Sequence, residues 1–175
     1  MADSLDPDAK QQLAKLDEIL VGLKAQIEAE RAQIQALKEQ GSDIAAVLRA
    51  NMSVAWEKVE GIETEIEEAK DQAGSRKDEI SGWKLWYNGL AEIDKTESMK
   101  KLEFEVGWRS KEIGEIEKRI AGLQESLLNS RESQEKARQK LEAYEAGVYG
   151  QPIEEDPRIK ELQEQIKNLP GASKE

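Results

Sequence analysis

Acidic side chains are the commonest chemically capable groups in this chain, 37 Asp and Glu against 26 Lys and Arg. Paired carboxylates can serve as acid and base or hold a divalent cation, provided that they converge. In GIETEIEEAKDQ, residues 61–72, Glu63, Glu65, Glu67, Glu68 and Asp71 are spread around a helix, and the simplest reading is a solvated acidic face. Glu154, Glu155 and Asp156 are adjacent, without the spaced ligands and turn glycine of a calcium loop. No metal site is expected.

Nucleophilic chemistry is limited further by the absence of Cys and His. Disulfides, thiolate zinc sites, imidazole bases and the Glu-x-x-His pairs of di-iron bundles are excluded. No phosphate loop, dinucleotide turn or nucleophile elbow is present. The expectation is a non-enzymatic protein with no cofactor and no small-molecule substrate.

Aromatic residues are the other informative group. Trp83 and Tyr87 fall on an apolar helical seam, whereas Leu85, Trp86, Phe104 and Trp108 fall off it, Phe104 and Trp108 sharing one face four residues apart. Apolar residues that a thin helical element cannot cover mark interfaces, and tryptophan is enriched at their energetic centres. These four are the candidate protein-interface residues, for a protein partner or for self-association. Trp56 is also off the seam.

The elements that would carry them are helices. Charged residues make up 36% of the 175 positions and aromatics 5%, a composition suited to slender bundles that bury one stripe each. Helix one is expected over residues 9–40, with seam Leu13, Leu16, Leu20, Leu23, Ile27, Ile34 and Leu37. Glu30 interrupts that seam as a register-setting polar layer or an exposed edge. Gly41-Ser42-Asp43 reads as a C-cap followed by an N-cap. A continuous helix with a stutter between Leu48 and Met52 is the competing reading.

Helix two is expected over 43–93, its seam running from Met52 through Ala55, Val59, Ile62, Ile66, Ala69, Ala73, Arg76, Ile80, Trp83 and Tyr87 to Leu90. DKTESMK, residues 94–100, is expected to connect it to helix three over 97–146, with Asp94 or Thr96 as cap; Asn88-Gly89 is a second, earlier turn signal. The seam of helix three includes Met99, Leu102, Val106, Arg109, Ile113, Ile116, Ile120, Leu123, Leu127, Ala137, Leu141, Tyr144 and Val148, and turns polar at Ser130 and Gln134. Gly147, Gly150 and Pro152 end it.

Seam residues match hydrophobe to hydrophobe in mirror order about Gly41 (Leu20 with Ile62, Leu16 with Ile66) and about Ser98 (Ile80 with Ile116, Trp83 with Ile113). Antiparallel coiled-coil layers require such pairing. The expected fold is therefore all-α: an elongated antiparallel coiled-coil helical hairpin with a third helix packed on one half. A three-helix bundle half and a bare two-helix arm over 74–122 follow. Six glycines, Gly74, Gly82, Gly89, Gly107, Gly114 and Gly122, mirror one another on that arm, leaving room for another helix or simply loosening it. The domain plan is a polar leader over 1–8, the coiled-coil domain over 9–148, and a tail over 149–175. The tail carries a short amphipathic helix over 157–169, stopped by Pro170.

Net charge is -11. A surface of that sign repels phosphate backbones and anionic lipid heads, so neither nucleic acid nor a membrane is expected as a partner. The start, MADSLDPDAK, has no secretory signature and no stretch is long and apolar enough to span a bilayer, so a cytoplasmic protein is expected. The leading functional expectation is a structural or assembly protein, a helical spacer and docking surface working through the Trp- and Gly-rich arm. Its alternatives are a parallel homo-oligomeric shaft and an acidic regulatory binder or inhibitor of a basic partner.

Overall fold

The computed structural model describes residues 7–169. They form an all-helical chain: α1 (Pro7–Glu39), α2 (Ile44–Asn88), α3 (Glu92–Glu145), short 3-10 turns at Val148–Gly150 and Ile153–Glu155, and α4 (Pro157–Lys167). The leader residues 1–6 and the expected stop at Pro170 lie outside the described residues. α1 begins at Pro7, two residues before position 9. Proline suits that place because its missing N–H would have no intrahelical acceptor.

Gly41 separates α1 from α2. Its φ of 69° lies in the left-handed region, which an L side chain adopts only at a cost. The Ser42 N–H reaches back to the Leu37 carbonyl and the Gly41 N–H to that of Lys38, both at 3.1 Å. This is the paired closure of a Schellman cap. Asp43 then caps α2, accepting from the Ala46 N–H at 3.2 Å. The turn reading at Gly41 is therefore the one the chain adopts.

The second turn lies earlier than the expected DKTESMK connection. α2 stops at Asn88, the Gly89 N–H bonds back to the Leu85 and Trp86 carbonyls, and α3 is under way by Glu92. Residues 94–100 are helical, not a connector. Nothing in DKTESMK breaks a helix, Glu92 and Asp94 place negative charge in the first turn, and Lys95 pairs with Glu92 one turn back at 3.0 Å. Of the two turn signals in this region, the glycine overrode the polar run.

The chain forms two compact units. One is Met52–Lys136; the other gathers the described residues up to Asn51 and from Ala137 onward. The tail docks on α1 and ties the end of the chain to its beginning.

In the unit containing α1, Ile27, Ile34, Ile44, Leu48, Leu141 and Val148 are buried, and so are Ile159 and Leu162 of α4. In Met52–Lys136 the buried side chains include Val59, Ile66 and Ala73, spaced by heptads along α2, together with Ala69 and Ile113. Ser130, where the α3 seam turns polar, is buried as well.

Candidate functional site: an aromatic and arginine cluster on the second unit

α2 and α3 run antiparallel within Met52–Lys136, as their ion pairs require. Glu63 bonds Arg131 at 2.7 Å, Arg76 bonds Glu112 at 2.7 Å and Glu79 bonds Arg109 at 2.6 Å, so partner numbers fall on one helix as they rise on the other. The pairs do not share one centre: Arg76–Glu112 and Glu79–Arg109 are symmetric about Asp94, and Glu63–Arg131 about Glu97.

Both arginines of the apolar seam have found the same acid. Arg76 bonds Glu79 Oε1 at 2.8 Å and Arg109 bonds Glu79 Oε2, while Arg109 also takes Glu105 at 2.6 Å. The Arg109 guanidinium holds the Glu79 carboxyl below the usual carboxylate range, and with the Trp108 indole N–H it does the same to Glu105. Arg76 and Arg109 are pushed up in return, Arg76 chiefly through Glu112 and Arg109 chiefly through Glu79. Groups so firmly charged at neutral pH suit a fixed lattice rather than proton transfer.

Aromatic rings flank the lattice. The Arg109 guanidinium lies 4.2 Å from the Trp108 ring centroid and 5.8 Å from that of Trp83; Arg76 lies 5.3 Å from Trp108. Trp83 and Trp86 meet edge to face at 5.3 Å, and Lys101 sits over both rings. Glu79, Gly82, Trp83, Trp86, Lys101 and Arg109 line an open groove of about 380 Å³.

The four interface candidates differ in their surroundings. Leu85 and Phe104 stand out, about 70% exposed, while Trp86 and Trp108 are held by the cluster and keep just under 40% of their surface in solvent. The expected seam residues Trp83 and Tyr87 are half-buried. A Cβ added at Gly74, Gly82, Gly107, Gly114 or Gly122 would meet no atom within 4 Å, so none of these glycines is required by packing inside the chain.

The acidic run does not converge on a common point. Glu63 and Glu65 reach Arg131 and Arg119 of α3, and Glu67 pairs with Lys70. No group of three or more potential metal-binding side chains occurs among the described residues, and no helix among them is long and apolar enough to cross a membrane.

A second polar cluster, in the unit containing α1, was not legible as such. Glu30 is buried and accepts from Arg158 Nη2 at 2.9 Å, Tyr149 Oη at 2.8 Å and Gln26 Nε2 at 3.2 Å. Asp156 is wholly buried, caps α4 through the Arg158 N–H at 3.0 Å and takes the same guanidinium. Arg31 donates to the Gln151 and Val148 carbonyls, pinning the 3-10 turns to α1. Asp156-Pro157 does carry the cap-then-proline signal of a helix start, but nothing in the sequence couples it to Glu30. No family model, curated protein or solved structure matches the chain.

Proposed function

We propose that the chain is a non-enzymatic structural or assembly protein, a helical spacer that docks protein through the tip of the α2–α3 pair. Of the eleven large apolar side chains exposed among the described residues, six, Leu85, Trp86, Ile93, Met99, Phe104 and Trp108, fall between residues 85 and 108. That concentration carries the reading: scattered apolar exposure is ordinary, whereas a cluster rimmed by charge is characteristic of an interface. The arginine and glutamate lattice supports it by fixing Trp108, while Trp83 and Lys101 hold Trp86, before any partner arrives, which lowers the ordering cost of binding. The lack of Cys and His in the whole chain favours a non-catalytic role.

α2 and α3 are read as an antiparallel coiled-coil hairpin, supported by the heptad spacing of Val59, Ile66 and Ala73 and by the ion pairs across the helices. The chain breaks at Gly41 and Gly89 weigh against one uninterrupted shaft. Alanine at Trp86 and at Trp108 tests the docking surface. Association, whether with a partner or with itself, should weaken while circular dichroism keeps its helical amplitude. Loss of helicity in both variants would make them core residues and sink the interface. For the hairpin, cysteines at Ile80 and Ile116 should cross-link within one chain; purely intermolecular products would refute it.

A further inference from the structure

On α3, Glu97, Lys100, Phe104, Trp108 and Lys111 follow one another at spacings of three, four, four and three residues, which sets them in a single stripe. All five are exposed. Phe104 stands at the centre, and the pattern reads the same in both directions by distance but not by chemistry. The acid is as far before Phe104 as Lys111 is after it. Lys100 is as far before as Trp108 is after.

We propose that this stripe docks a second copy of the chain, with α3 antiparallel to its symmetry mate and a two-fold axis passing beside Phe104. A two-fold contact brings residue i against j and j against i, so a stripe matches itself only if the positions mirrored about its centre attract. Here they do. Glu97 meets Lys111 of the second copy, Lys100 meets the part of Trp108 that Arg76 and Arg109 leave exposed, and Phe104 meets its own equivalent. Each of the first two contacts occurs twice.

The charges involved are available. Glu97, Lys100 and Lys111 have no ion pair among the described residues, unlike Arg76 and Arg109, which the lattice has already satisfied. Long-range electrostatics favour the same place. Residues 74–111 hold eight Lys and Arg and seven Asp and Glu, a net of +1 in a chain of -11, leaving -12 elsewhere. Two copies repel least where they touch through this segment.

The inference rests on the docking reading above and adds its occupant and register. Sedimentation of the full chain across a wide concentration range should show a reversible dimer. Lys111→Glu and Glu97→Lys each set like charges opposite one another twice and should weaken it by about tenfold. The double variant Glu97→Lys/Lys111→Glu should restore it, because the pair is re-formed with its signs exchanged. Phe104→Cys, the sole cysteine in its chain, should oxidise to a disulfide dimer, and exposed Glu125→Cys should not. Circular dichroism confirms that each variant folds. A chain that stays monomeric at every concentration overturns the second copy as occupant and leaves the docking surface to its own test. A dimer that Trp108→Ala dissociates but both charge reversals leave intact keeps the docking surface and overturns this register.

Discussion

Arg158 of α4 donates to Glu30 of α1 across 128 residues of sequence, its Nη2 lying 2.9 Å from Oε2. The Glu30 side chain is 9% exposed and that of Arg158 17%. Two charges so placed are costly to desolvate, and each depends on the other and on Asp156 and Tyr149 for compensation. An eleven-residue helix is marginal alone, so this cluster, with buried Ile159 and Leu162, is what holds α4.

Arg158→Ala should therefore lower stability by about 3 kcal/mol, because it strands a buried carboxylate. Amide exchange over α4 should accelerate at the same time. Replacing Glu30 as well, as in Glu30→Leu/Arg158→Met, should recover part of the loss, since buried Asp156 lacks the guanidinium in both variants. If the double variant were as unstable as the single one, the specific polar geometry would matter more than the unpaired charge.

Acid should loosen the same contact. Burial pushes the Glu30 carboxyl up, but the hydrogen bonds from Arg158 and Tyr149 outweigh it, and the net shift is below the ordinary value of 4.5. A depressed acid contributes stability that is present above its unfolded pKa and is lost as pH falls through the folded one. Urea denaturation between pH 7 and about pH 3 should thus fall off more steeply for the wild type than for Glu30→Gln. At the alkaline end, burial and Glu30 push the Tyr149 hydroxyl well above its ordinary value of 10.0, a contribution full below that pH and lost above it. Burial depresses Lys140, which bonds Gln33 and feels the Glu30 charge, with the opposite sign, so the acid limb is the cleaner test.

The glycines should divide by backbone, not by space. Neither Gly41 nor Gly61 has any atom within 4 Å of an added Cβ, but only Gly41 has a positive φ. Gly41→Ala should cost about 1 kcal/mol through left-handed strain. Gly61→Ala, inside α2, should stabilise by up to about 1 kcal/mol through helix propensity. Thermal melts of the two variants should shift in opposite directions.

Arg109→Met removes the partner shared by Glu79, Glu105 and the Trp108 face while leaving the helices a good helix former. Tryptophan fluorescence should change, and the melting temperature should lose part of its dependence on salt, since Arg76, Glu79 and Glu112 are part-exposed and open to screening. Unchanged fluorescence would mean that Trp108 does not rest on the guanidinium in solution.

What the sequence determined by itself was local. Heptad spacing located the buried stripes at Ile27, Ile34, Val59, Ile66, Ala73 and Leu141, because burial on a helix follows its period. Gly41 and Asp43 announced the first turn, since left-handed backbone and side-chain capping are properties of single residues. Leu85, Trp86, Phe104 and Trp108 could be marked as uncovered for the same reason: they fall off the stripe. The tertiary structure decided what depends on distant partners. Arg76 and Arg109 interrupted an apolar seam until Glu79 was found between them. Glu30 read as a register-setting polar layer or an exposed edge. Its role required a cap and a guanidinium more than a hundred residues away, a pairing that no local spacing encodes.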